Sequence, residues 1–201
     1  MVLSDKDIKK CLESGRIKVD PPIDLTVQLG PCSIDLRLGS VFRVFERSRA
    51  PFIDTLGQVT TDHLMREITV ESDEPFIMQP GELVLAKTYE SLEVADDLLA
   101  RLEGRSSLAR LGIIVHGTAG VFEPGWKGTP TLELGNLGPM PVALHSMMRV
   151  CSFTFEELSS AAEVPYWKRA SSKYLGQDGA DASRFHSERD TEMWWRTFRP
   201  Q

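Results

Sequence analysis

The sequence predicts a mainly β protein, an antiparallel barrel or sandwich with a few short helices. Short apolar runs recur with period-two alternation, Gly and Pro punctuate them, and almost no long amphipathic helix intervenes. The first segment is the exception. Ser4 is placed to cap a helix, Asp5 and Asp7 suit its positive end, Ile8, Cys11 and Leu12 share one face, and Gly15 stops it. Strands follow at Ser33–Leu38, Val41–Phe45 and Phe76–Met78, and then, after the Pro80-Gly81 turn signal, at Glu82–Thr88. A short helix is expected over Ser106–Leu111, after serine caps and before Gly112. Strands resume at Ile113–Val115, Thr131–Leu134, Val142–Leu144 and Val150–Phe155.

The chain has 201 residues, enough for one domain with a substantial core. Residues 1–175 read as that domain. Residues 176–201 lose periodicity and read as a C-terminal tail, mobile unless a ligand or partner orders it. Lys plus Arg number 23 against 29 Asp plus Glu, a net charge of −6. That balance argues against a surface built to track nucleic acid or an anionic membrane, but leaves room for a local pocket for a small anion. The three cysteines are far apart and form no disulfide framework, which fits a reducing, cytoplasmic compartment. No run approaches the ~18 apolar residues of a membrane span, and the start lacks the apolar core of a signal peptide.

Several chemistries are missing. No HExxH zinc helix, GxGxxG fingerprint, GxSxG elbow or zinc-deaminase signature is present. Gly120 and Gly125 have phosphate-loop spacing, but Trp126 stands where Lys is required. The densest polar chemistry runs from 103 to 136. Arg105 and Arg110 bracket Ser106 and Ser107 at an expected helix start, a good arrangement for phosphate oxygens. A capped helix with solvated arginines fits the same spacing equally well. In Thr131-Leu132-Glu133-Leu134 the leucines share one face, and Thr131 and Glu133 share the other. Alternation alone favours a solvent-facing Glu133; a pocket-facing one would be a general acid/base. His116 fits an orienting role or that of a core histidine.

The segments EGRSSLARLG (103–112), HGTAGVFEPGWKG (116–128), TLEL (131–134) and SSKYLGQDG (171–179) resemble, in order and spacing, the dCTP deaminase family of the dUTPase-like superfamily. SIDLRLGSVF (33–42) and PGELVLAKTYESLEV (80–94) fit as well, so the resemblance covers residues 1–184. It implies a dUTPase-like distorted β-barrel or sandwich, a homotrimer with shared active sites, and zinc-free hydrolytic deamination of dCTP to dUTP in nucleotide metabolism. Mg²⁺ is implied as a companion of the triphosphate, held by no protein ligand set, and dTTP as a feedback inhibitor.

By the same resemblance, Glu133 is the acid/base, with Ser106, Arg110 and Ala119 at the reacting centre. Arg105, Ser106, Ser107, Leu108, Ala109 and Arg110 form the substrate cradle. Thr131 and Leu132 meet the pyrimidine, Glu123 lies at the sugar, and Tyr166, Lys173 and Gln177 close over the nucleotide as a lid. Glu123 stands where the family usually has Asp, and Ser146-Met147 where Pro-Gly is common. Thr118-Ala119-Gly120 looks like the bifunctional branch that makes dUMP and pyrophosphate, whereas Ser152 stands where that branch has Gln. Deamination is therefore the main reading, with the bifunctional enzyme and a non-catalytic nucleotide-binding relative as alternatives. The adjacent Trp194 and Trp195 suit docking on a neighbouring subunit or local collapse.

Overall fold

A computed structural model describes residues 1–46, 51–53 and 61–187. The chain opens with helix α1 (Asp5–Ser14), begun by Ser4, whose hydroxyl accepts from the Asp7 N–H, and ended by Gly15 in the left-handed region at φ 75°. Hydrogen bonds from Lys10 and Ser4 hold the Asp7 carboxyl below its usual range. The strands are β1 (Ile17–Asp20), β2 (Ser33–Phe45), β3 (Met65–Thr69), β4 (Phe76–Met78), β5 (Leu83–Thr88), β6 (Ser91–Val94) and β7 (Leu98–Gly104). One helical turn, α2 (Ser106–Ala109), precedes β8 (Ile113–Ile114), β9 (Val121–Phe122), β10 (Lys127–Gly128), β11 (Thr131–Asn136), β12 (Val142–Leu144) and β13 (Arg149–Glu157).

All strand pairs among the described residues are antiparallel. The main sheet runs β8-β11-β5-β2-β13-β7-β9, with β3 also on β2, beside smaller sheets β1-β6-β10 and β12-β4. The fold is mainly β and antiparallel, as the alternation predicts. Two expected strands, 33–38 and 41–45, prove to be one 13-residue strand, β2. Gly39 lets it pass its neighbour, since a Cβ there would lie 3.0 Å from the Lys87 carbonyl oxygen. The first half of β2 pairs with β13 and the second with β3 and β5, so this strand carries the sheet around its bend.

The core lies on one face of that sheet. Ile34, Leu36, Leu38, Phe42, Leu132, Leu134, Phe153 and Phe155 are all essentially inaccessible to solvent. Phe122 packs edge-on against both Phe153 and Trp126, with centroids 5.0 and 4.6 Å away. Glu90 is fully buried yet satisfied: its carboxylate accepts from the Arg37 N–H at 2.8 Å, Arg37 Nε at 2.6 Å and Gln28 Nε2 at 3.0 Å.

All three cysteines are free. Burial pushes the thiols of Cys11 and Cys151 above their usual range, whereas Cys32 is exposed. Since the thiolate is the reactive form, a thiol reagent is expected to label one cysteine per native chain rapidly, at Cys32, and the other two only on denaturation. Timed labelling with peptide mapping checks this.

Trp194 and Trp195 lie outside the described residues. No described helix is long and apolar enough to cross a membrane.

Candidate active site

Strand β11 presents Glu133. Its backbone pairs with Leu85 of β5, its N–H donates to the Val115 carbonyl, and Leu132 and Leu134 on either side are buried. Glu133 is half-buried rather than splayed into solvent, and its Oε2 accepts the Gly117 N–H at 2.8 Å. The 115–120 loop therefore folds back over the outer face of β11 and fixes the carboxylate. Alternation had favoured the solvent side; this loop is what changes the environment. A Cβ on Gly117 would lie 3.0 Å from that same Oε2. Gly117→Ala is therefore expected to displace the carboxylate with little change in melting temperature; a structure of the variant beside a thermal melt checks this. His116 is half-buried one residue earlier, and its Nδ1 has no hydrogen-bond partner among the described residues.

At the end of β7 the chain turns into α2. The expectation of serine caps is corrected here. Arg105 occupies the N-cap position in an extended conformation without a side-chain cap, and Ser106 is already the first helical residue. The helix is one turn long because Gly112, at φ 91°, turns the chain where a Cβ would collide with the Gly138 backbone. Leu108 is buried and anchors the turn, while Ser106, Ser107, Ala109 and Arg110 are exposed. Among the described residues, no hydrogen bond or ion pair engages the Ser106, Ser107 or Arg110 side chains. Arg105 is engaged: its Nε lies 3.2 Å from Asp35 Oδ2, and its Nη1 donates to the Arg149 carbonyl at 3.1 Å.

A third group lies at the 123–131 stretch. The Glu123 carboxylate is 3.3 and 3.4 Å from Arg169 Nη1, and the Tyr166 N–H donates to the Pro124 carbonyl at 2.8 Å. The Trp167 indole N–H donates to Asp96 at 2.9 Å, which ties the same turn to the β6–β7 connection. Tyr166 and the following strap are joined, since the Tyr166 hydroxyl accepts the Tyr174 N–H at 3.1 Å. Lys173 is half-buried beside the Tyr174 ring, its Nζ 6.0 Å from the ring centroid.

Gln177 is buried. Its Nε2 donates to the Thr129 carbonyl at 3.0 Å and to Thr131 Oγ1 at 3.1 Å, and the Thr131 hydroxyl donates to the Gly179 carbonyl at 3.1 Å. The strap is thus laid against the outer face of β11, two residues from Glu133. Its described part is held by further bonds from Lys87 to Asp178 and from Arg43 to Ala180.

The structure therefore gathers Glu133 with the 117–120 loop that carries Ala119, and Thr131 with Gln177. Glu123 is joined to the Tyr166 segment. No hydrogen bond or ion pair among the described residues links Glu133 to Ser106 or Arg110. Sequence reasoning missed Asp35, Arg149 and Arg169. The only local signal for any of them was the outward phase of Asp35 in the alternation of β2. Among the described residues no group of three His, Cys, Asp or Glu side chains converges as a metal site.

A half-buried carboxylate braced by a loop amide, on the outer face of a mainly β, antiparallel sheet, is the site this fold presents. A match to the dCTP deaminase-like family spans residues 2–158, and the chain belongs to that family. A dCTP deaminase of Thermomicrobium roseum is 57% identical over 193 residues, covering 96% of this chain and 98% of that protein. A "dCTP deaminase, dUMP-forming" of Methanosphaera stadtmanae is 48% identical, over 94% of this chain and 96% of that protein. The crystal structure of 2′-deoxycytidine 5′-triphosphate deaminase from Agrobacterium tumefaciens superposes with a TM-score of 0.60 at 23% identity, covering 78% of this chain. That likeness shows the fold; the matched part is 48% of the longer Agrobacterium chain.

Proposed function

We propose that this enzyme hydrolyses dCTP to dUTP and ammonia, with Glu133 as general acid and base. The observation that carries the reading is the Glu133 carboxylate, half-buried and braced by the Gly117 N–H. A water held near C4 of cytosine gives its proton to Glu133 as the oxygen attacks C4. Glu133 passes that proton to N3. The proton of the new C4 hydroxyl then travels through Glu133 to the amino group, the C4–N bond breaks, ammonia leaves and the C4 carbonyl forms. Ala119 lies near the attacked carbon, and Ser106 and Arg110 orient the water and the carboxylate. Thr131 and the Leu132 backbone read the pyrimidine edge. Arg105, Ser106, Ser107, Leu108, Ala109 and Arg110 cradle the phosphates through guanidinium, hydroxyl and backbone N–H groups.

In this reading no protein-bound zinc takes part, and Mg²⁺ travels with the triphosphate. Oxygen-rich phosphates suit that ion without a dedicated protein cage, and when bound it lowers the negative charge that the arginines face. Glu123 meets the sugar, and Tyr166, Lys173 and Gln177 close the C-terminal strap over the nucleotide. The reaction belongs to pyrimidine deoxynucleotide supply in the cytoplasm, where dTTP, bearing the 4-oxo group of the product, suits feedback inhibition. A homotrimer with shared sites is part of the proposal. Ser106, Ser107 and Arg110 are exposed, and Leu111, Leu137 and Met140 beside them expose large apolar side chains. A monomer by light scattering at micromolar concentration contradicts that part.

The test is turnover. Folded protein with dCTP and Mg²⁺ is expected to release ammonia and form a uracil nucleotide; dCTP surviving intact contradicts the reading. A second reading, dUMP and pyrophosphate as products, is favoured by the dUMP-forming names of relatives 48% and 50% identical to this chain. Pyrophosphate appearing with the ammonia supports it, and dUTP as the lasting product rejects it.

A further inference from the structure

Strand β2 turns Asp35 away from the core, between the buried Ile34 and Leu36. In register Asp35 lies opposite Ser152 of β13, which in turn lies opposite Glu103 of β7. The side chain is thus two strands from the point where β7 ends and Arg105 begins. Two guanidiniums converge on it. Arg105 Nε and Arg149 Nη1 each lie 3.2 Å from the same oxygen, Oδ2, and the Asp35 side chain is only 18% exposed. Arg149 sits where the β2–β13 register shifts, a bulge that re-aims its side chain. The same Nη1 donates to the Val27 carbonyl at 2.6 Å, and Arg149's own carbonyl accepts from Arg105 Nη1 at 3.1 Å. The backbone of Asp35 is fixed too: its N–H donates to the Gln28 carbonyl, and its carbonyl accepts from Gln28 Nε2.

One carboxylate between two guanidiniums neutralises only one of them. The cluster keeps a net positive charge at the base of the exposed Ser106-Ser107 turn, and its geometry is set from both sides. We propose that Asp35 and Arg149 are positioning residues that aim the Arg105 guanidinium at the phosphate end of the substrate. They set affinity for the triphosphate and leave the chemistry at the base untouched. This rests on the dCTP reading, which takes Arg105 as a phosphate ligand. Without Asp35 the two guanidiniums repel each other and Arg105 loses its fixed direction. Without Arg149, Asp35 pairs with Arg105 alone and cancels the charge meant for phosphate.

The experiment compares wild type with Asp35→Asn, Arg149→Gln and Arg149→Lys, each checked for an unchanged trimer or monomer profile and a melting curve. Steady-state rates and calorimetric binding are measured for dCTP and for dCMP. Losing one charge-assisted contact should raise KM for dCTP about tenfold in Asp35→Asn and Arg149→Gln. The expected kcat is unchanged, as is dCMP binding, and Arg149→Lys recovers most of the loss. Unchanged dCTP affinity in both variants overturns the proposal, and so does a fall in kcat at constant KM. Absence of ammonia release by the folded wild type overturns the deaminase reading instead, and the dCTP calorimetry still decides the role of Asp35.

Discussion

Glu133→Gln is expected to fold, to bind dCTP and to deaminate it at least about a thousandfold more slowly than wild type, within the range assigned to a positioned general acid/base. The amide keeps the size of the side chain and can still accept the Gly117 N–H through its oxygen. It cannot take the proton from water or relay it to N3 and the amino group. The whole loss should therefore appear in kcat. Calorimetric binding of dCTP by the variant, next to its ammonia release, is the check. Substantial activity in Glu133→Gln would assign the proton transfers to another group and overturn the mechanism.

Phe153→Ala is expected to destabilise the fold by about 4 kcal/mol, near the middle of the range for removing a buried phenyl group. Phe153 has no solvent exposure and meets Phe122 edge-on at 5.0 Å. It also lies on β13, the strand that joins β2 to β7 in the main sheet. The cavity would open beneath the strands that carry Asp35 and lead into Arg105. Denaturant unfolding of the variant and wild type gives the difference, and a loss under ~1 kcal/mol would mean the site collapses around the void more readily than its packing suggests.

Local chemistry made some of this molecule legible in the sequence. Helix α1 was readable at both ends because Ser4 and Gly15 act on their immediate neighbours. The alternation of β11 correctly separated Leu132 and Leu134 from Thr131 and Glu133. It could not place Glu133 in a site, because the bracing N–H comes from a loop 16 residues earlier. Strand β7 escaped notice because Leu98–Gly104 is rich in good helix formers. Seven paired positions with β13 override that preference. Strands β1, β9 and β10 are only two to four residues long and exist through distant partners such as Ile17 with Val94. The Asp35–Arg105–Arg149 cluster was hidden for the same reason, since its members come from two strands, β2 and β13, and from the turn after a third, β7.

The proposed chemistry requires that the oxygen at C4 of the product come from water. Turnover of dCTP in ¹⁸O-labelled water, with the products read by mass spectrometry, tests this directly. The expected result is one ¹⁸O in the uracil base, at the C4 carbonyl, and one ammonia per dCTP consumed. Folded wild-type protein that leaves dCTP unchanged, or a uracil product without the label, contradicts it.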